Sequence, residues 1–188
     1  MRTSWGQLCS QIESCNKCRL CQTRTHVVPG EGDPKADLMF IGEGPGHDED
    51  VQGRPFVGRS GELLTRMIRA IDLERDQVYI CNVVKCRPPQ NRNPEADEAA
   101  ACLDYLRAQV ALVRPRVIVL LGKVACLYTL GENLSVMRSH GTWIERKGVY
   151  FMPTFHPSYL LREPGMKRAA WEDFQKIRDK LAELKSGE

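Results

Sequence analysis

Three short apolar runs constrain this chain more than anything else in it: residues 37–41 (DLMFI), 78–84 (VYICNVV) and 117–121 (VIVLL). Each has the length of a strand and reads as a buried one. Segments of helical spacing separate them. Leu63, Leu64, Met67, Ile68 and Ile71 mark one apolar face, with Ser60 as its expected cap. Asn93-Pro94-Glu95 opens a second helix with a cap, a Pro at the first helical position and an acid at the positive end. That helix is expected to bury Ala99, Cys102, Leu103, Leu106 and Val110. Gly122 closes the third strand, and a short helix runs on to about residue 130. Residues 143–145 and 149–153 read as two further strands. Trp171, Phe174, Ile177, Leu181 and Leu184 form the stripe of a last helix. Strands alternating with helices predict an α/β sandwich on a mostly parallel sheet.

In such sheets ligands sit beyond the carboxyl ends of the strands. The unusual loops fall there: 42–58 after the first strand, 82–94 at the second and 155–162 after the last. Their convergence on one edge predicts one site. Length and charge exclude more than they propose. The 188 residues suffice for one domain with a core, and 27 basic against 24 acidic residues leave a net charge of +3. A surplus that small does not mark a nucleic-acid binder; a basic footprint must come from local clustering. No aliphatic run is long enough to cross a bilayer. The polar start, MRTSWGQLCSQIESCNKC, does not read as a secretory signal.

A reducing compartment is therefore expected, where the eight cysteines are thiols, metal ligands or catalytic groups rather than disulfides. Cys15-x2-Cys18-x2-Cys21 lies in a short polar segment with little core to bury thiols. Cys86 opens a Pro-rich loop, and Cys102 follows with fifteen residues between. Two close and two distant thiolates can surround zinc or an iron–sulfur cluster, and spacing does not choose between them. Cys9, Cys81 and Cys126 read as small hydrophobes.

Gly42-Glu43-Gly44-Pro45-Gly46 matches neither phosphate-binding fingerprint, because no Lys-Ser/Thr follows and Pro45 interrupts. Glu43, Asp48, Glu49 and Asp50 crowd the same loop and would repel phosphate. They suit a site that develops positive charge or needs a base. His156 sits at a strand end opposite them.

Residues 42–58 (GEGPGHDEDVQGRPFVG), 81–91 (CNVVKCRPPQN) and 155–162 (FHPSYLLR), with the cysteine spacing, resemble the family 4 uracil-DNA glycosylases, the iron–sulfur members found in bacteria and archaea. The likeness runs from about Cys15 to the last helix. It implies a three-layer α/β/α sandwich around a central, mostly parallel four-stranded sheet. It also implies a single glycosylase domain over residues 1–188 with an N-terminal iron–sulfur segment. The implied activity is hydrolysis of the bond between deoxyribose C1′ and uracil N1, leaving free uracil and an abasic site. A [4Fe–4S] cluster is implied on Cys15, Cys18, Cys86 and Cys102, with Cys21 spare.

The resemblance also implies roles. Asn82 reads the base, Phe56 stacks on it, and His156 donates to uracil O2 as the anion forms. Glu43 orients water or stabilises the cationic sugar. Glu49 crowds uracil C5, and Gly44 lies in the base pocket where wider relatives carry an Asp or Asn. Arg54, Arg59, Lys85, Arg87, Arg92 and Arg162 are expected at phosphates, with Ser158 also at the DNA. Residues 159–162, Leu161 above all, are expected as a wedge into the vacated stack. The chain lacks the basic His-containing insert of relatives that trap DNA covalently, so the product is expected to be released. A cytoplasmic monomer is expected, with the nucleoid of a bacterium or archaeon, acting on single- or double-stranded uracil-containing DNA.

Overall fold

The computed structural model describes residues 4–187. Helix α1 (Trp5–Glu13) begins at Ser4, whose side chain and that of Gln7 cap each other's amides reciprocally. The first sheet elements are β1 (Glu31–Gly32) and β2 (Leu38–Gly42), then the short α2 (His47–Gln52) and α3 (Arg59–Arg69). Next come β3 (Tyr79–Asn82), α4 (Ala96–Val113), β4 (Val117–Leu121) and α5 (Lys123–Leu130). The chain closes with α6 (Val136–Ser139), β5 (Ile144–Arg146), β6 (Val149–Thr154), α7 (Pro157–Arg162) and α8 (Lys167–Ser186).

The six strands lie in the order β1-β3-β2-β4-β6-β5. The inner four are mutually parallel, and β1 and β5 add antiparallel edges. The expected four strands are thus the parallel centre of a wider mixed sheet. The edge β5 answers to the strand expected at 143–145, whereas β1, two residues long, is too short to announce itself by pattern. Lys147 and Gly148, at φ +53 and +78, make the tight turn that folds β5 back on β6.

Alternate residues of the central strands feed two different cores. Met39, Ile41, Ile118 and Leu120 pack with α4 and α5, while Trp5 of α1 borders the same core. Leu38, Phe40, Val117 and Val119 pack with α3 and α8 on the other face. The result is three layers, and it explains the unbroken apolar runs: neither face meets water. Phe40 and Phe174 stack across the second core with centroids 5.8 Å apart.

Local details depart from the sequence reading. Gly58, not Ser60, caps α3, and α4 starts after Glu95 rather than at Pro94. The side chain of Glu98 reaches back to the Glu95 amide and moves the helix start. Leu103 and Val110 are half-buried, and Trp171 of α8 is 37% exposed because it lies at the edge of the stripe. Cys81 and Cys126 are buried, but Cys9 is only partly so. Among the described residues no helix is long and apolar enough to cross a membrane.

Glu98 is fully buried and ties the two cysteine-bearing segments together. Its carboxylate accepts from Arg92 of the Pro-rich loop at 2.7 and 2.8 Å, and from Arg19, next to Cys18, at 2.7 Å. Hydrogen bonding from Arg92, then from the Glu95 amide and Arg19, holds its pKa down at about 2 despite burial. A carboxyl lowered by folding contributes stability that is present above its ordinary range, near 4.5, and lost as pH falls toward 2. Glu98→Gln is expected to be less stable than the parent at pH 7 in urea unfolding, and the difference should shrink between about pH 4.5 and 2.

Candidate active site

Because the inner strands are parallel, their carboxyl ends meet at one edge. Gly42 pairs with Asn82, and Leu121 with Thr154, side by side across the sheet. A cleft of about 940 Å³ opens there. It brings together Glu43, Gly44, Glu49, Phe56, Asn82 and His156, drawn from all three unusual loops.

Asn82 is 2% exposed, yet its Oδ1 has no hydrogen-bond partner. An unsatisfied buried amide oxygen costs about 1–3 kcal/mol. Such an atom facing a cleft is an acceptor kept open for a donor that arrives with a ligand. The neighbouring Gly42 leaves room for it: a Cβ there would lie 2.4 Å from Asn82 Oδ1 and 2.5 Å from Phe56 Cζ. Gly44 is equally confined, since a Cβ would stand 2.7 Å from Val84 Cγ2.

Phe56 adopts φ +51, a left-handed conformation that costs an aromatic residue energy. Its ring lies 5.6 Å from that of His156, centroid to centroid, tilted by 34°. The two rings and the Asn82 amide together offer a slot for a flat, polar-edged ligand.

His156 lies two residues beyond β6 and caps α7. Its Nδ1 accepts from the Ser158 amide at 3.1 Å and meets Ser158 Oγ at 2.7 Å. An accepting Nδ1 leaves the ring proton on Nε2. Burial, then the Arg162 guanidinium, lowers the His156 pKa to about 4. The imidazole is therefore a neutral donor at physiological pH. Burial has the opposite effect on Glu43, raising its pKa above the ordinary carboxylate range. Glu49 is used structurally: its carboxylate accepts from the amides of Gly46, Val57 and Gly58 at 2.9–3.1 Å, closing the loop on itself. That closure includes α2, a helix where the sequence read only a loop.

Of the basic residues expected at DNA, Arg59, Arg92 and Arg162 border the cleft, as does Ser158. Arg54 points elsewhere and pairs with Glu31 at 2.8 Å. Arg87 stands behind the rim, donating to Asn91 Oδ1 at 2.7 Å and toward His47. Lys85 is a correction. It is 1% exposed, and its Nζ donates at 2.6 Å to both Asn82 O and Gln109 Oε1. It braces the base of the Asn82 strand from inside and has no surface to offer a phosphate. The expected wedge segment lies at the cleft through Tyr159 and Arg162. Leu160 is buried, and Leu161 is half-buried against a small cluster with Leu63 and Phe155. The exposed apolar side chain on the cleft is Met137, 55% exposed, with Tyr159 OH 3.8 Å from its sulfur. Lys123 lines the same cleft. Neither was legible beforehand, because no motif surrounds them.

On the α4 side of the sheet, Cys15, Cys18, Cys21, Cys86 and Cys102 all line one small enclosed cavity. Arg24 donates to Cys86 Sγ at 3.1 Å. Among the described residues no three Cys, His, Asp or Glu side chains converge closely enough to hold a single ion. Soft sulfur donors gathered around one cavity suit zinc or an iron–sulfur group.

The family model for the uracil DNA glycosylase superfamily matches residues 29–175. A type-4 uracil-DNA glycosylase of Sulfurisphaera tokodaii is 49% identical over 178 residues, covering 90% of this chain and 81% of its own length. Those of Saccharolobus solfataricus and Thermotoga maritima are 42% and 46% identical, covering 93% and 89% of this chain and 85% and 90% of their own lengths. By the family match over residues 29–175 and the identity and coverage of these relatives, the chain belongs to the uracil-DNA glycosylase superfamily and, within it, to the type-4 enzymes.

Proposed function

We propose that this protein excises uracil from DNA, hydrolysing the N-glycosidic bond to leave free uracil and an abasic site, the opening step of base excision repair. The observation that carries the reading is the unpartnered Asn82 Oδ1, buried beside Phe56 and His156. Uracil extruded from the stack supplies what the slot lacks. Its N3–H donates to Asn82 Oδ1, and its O4 accepts from the Asn82 amide. Cytosine presents the reverse pattern at that edge. Phe56 covers one face of the ring.

As the C1′–N1 bond breaks, its electron pair stays on uracil and the sugar becomes cationic. The neutral His156 donates from Nε2 to uracil O2, where that negative charge gathers. Ionised Glu43 stabilises the sugar and orients the water whose oxygen bonds to C1′. The water's second proton ends on the departing base or in solvent. Glu49, pinned by three amides, holds the wall that faces uracil C5. Arg59, Arg92, Arg162 and Lys123 take phosphates around the mouth, and Met137 enters the gap left by the base. The protein acts as a single unit and as a monomer on single- or double-stranded DNA, among the cytoplasmic DNA of its cell.

Cys15, Cys18, Cys86 and Cys102 would hold a [4Fe–4S] cluster, leaving Cys21 beside it. When bound, the cluster supplies a covalent clamp between the N-terminal segment, the Pro-rich loop and α4. Purified protein is expected to be brown, absorb near 400 nm and carry about four irons per chain. A colourless zinc-loaded chain would overturn that assignment.

The decisive experiment treats a labelled oligonucleotide bearing one uracil with the protein, then with alkali. Strand scission is expected with U·G, U·A and single-stranded substrates; no scission on any of them sinks the reading. His156→Ala or Asn82→Ala should cost several orders of magnitude in rate. The pH profile separates the two titrating groups. His156 is neutral down to about pH 4, so loss of activity on acidification should follow protonation of Glu43, whose pKa is raised. Glu43→Gln should be slow and lack that acid limb. A limb centred near 6.5 that survives in Glu43→Gln would assign the titration to His156 and refute the scheme.

A further inference from the structure

Phe56 is held in an unfavourable backbone conformation by a residue far from it in sequence. We infer that Arg75 is the positioning residue that sets the Phe56 ring for stacking on the base, with Glu31 as its anchor. The inference rests on the uracil-stacking role given to Phe56 above.

The geometry is specific. Arg75 Nη2 donates to Pro55 O at 2.8 Å, and Nη1 to Phe56 O at 3.0 Å. Those carbonyls belong to the two peptide planes that flank the Phe56 Cα. Fixing both planes fixes φ and ψ of Phe56, and with them the direction in which its side chain leaves the backbone. Nη1 also donates to Thr65 Oγ1 of α3 at 3.2 Å. Nε donates to Glu31 Oε1 at 3.1 Å, and Nη2 makes a further close contact with the same oxygen. Glu31 lies in β1, the short antiparallel edge of the sheet. Arg54 takes its other oxygen from the solvent side.

One guanidinium thus joins the strained loop to a helix and to the sheet. Helix α3 presses from the far side: a Cβ on Gly61 would fall 1.8 Å from Phe56 O, so only a glycine lets the carbonyl stay where Arg75 holds it. A left-handed aromatic residue persists only when its surroundings over-determine it. Arg75 and Gly61 are those surroundings. Arg75 is not among the residues that line the cleft, so it acts through Phe56 rather than on substrate. A Lys at this position, a point charge on a flexible stem, cannot bridge both carbonyls and the carboxylate at once.

The test is a double-mutant cycle on the full-length, iron-loaded protein. It compares the parent with Arg75→Ala, Phe56→Ala and the double variant, with Arg75→Lys alongside. kcat/KM for uracil release from a single-stranded oligonucleotide is measured, with thermal midpoint and iron content recorded for each. Arg75→Ala is expected to lower kcat/KM by about tenfold or more when Phe56 is present, and by less than about twofold when it is absent. Arg75→Lys should fall between parent and Arg75→Ala. If Arg75→Ala does not fold, Arg75→Lys carries the cycle, with a smaller loss that also vanishes in the Phe56→Ala background. The same fold-loss in both backgrounds, or parent-like rates without Arg75, overturns the inference while leaving the excision reading standing. Parent-like excision by Phe56→Ala overturns the stacking role itself, and the inference with it.

Discussion

Four parallel strands buried on both faces must all end at the same edge, and every residue assigned to the chemistry hangs from that edge. Gly42, Asn82 and Thr154 are strand ends: Gly42 stands one residue before Glu43, Thr154 two before His156, and Asn82 is itself a working side chain. The register sets Gly42 opposite Asn82. The gap that a glycine leaves there is what the Asn82 amide and the Phe56 ring occupy. Site and sheet are in this sense one construction: the pairing that buries Ile41 and Cys81 is the pairing that aims Asn82 into the cleft.

The loops beyond the edge have little apolar surface of their own, so buried polar groups hold them. Glu49 closes the acidic loop through three amides. Asp50, also buried, accepts from the amides of Thr25 and His26 and so fastens the N-terminal segment to that loop. Glu98 gathers Arg19 and Arg92. Lys85 braces Asn82 from the core side. Each group is costly to bury alone and stable once paired, so each fixes one arrangement of its loop. Among these loop-holding groups Asn82 Oδ1 differs: it is buried and unpaired, at the wall of the cleft.

Much of this was legible in the sequence, for definable reasons. A strand buried on both faces writes itself as an unbroken apolar run, so β2, β3 and β4 stood within a few residues of their positions. The glycine-rich, Pro-rich and His-Pro-Ser loops were legible as unusual composition at strand ends, and the thiols as clustered spacing. An edge strand of two residues, as β1 is, carries no period. Whether a charged residue is a surface group or a brace depends on what the fold brings against it. Lys85 and Arg87 are neighbours of the same chemistry. One is sealed against Gln109 from α4, and the other is only half-buried, its guanidinium donating to Asn91.

The local chemistry was thus set by sequence alone: apolar runs, glycines where no Cβ fits, thiols in pairs, a histidine at a strand end. Tertiary structure decided which of these groups meet. Arg75 and Glu31 are 44 residues apart, and Arg75 and Phe56 are 19 apart. Their hydrogen bonds exist only because an edge strand, a turn and a helix close around one loop. The protonation states follow the same rule. His156 is a neutral donor and Glu43 a weakened acid because burial penalises charge, and burial is a property of the assembled cleft, not of any residue in it.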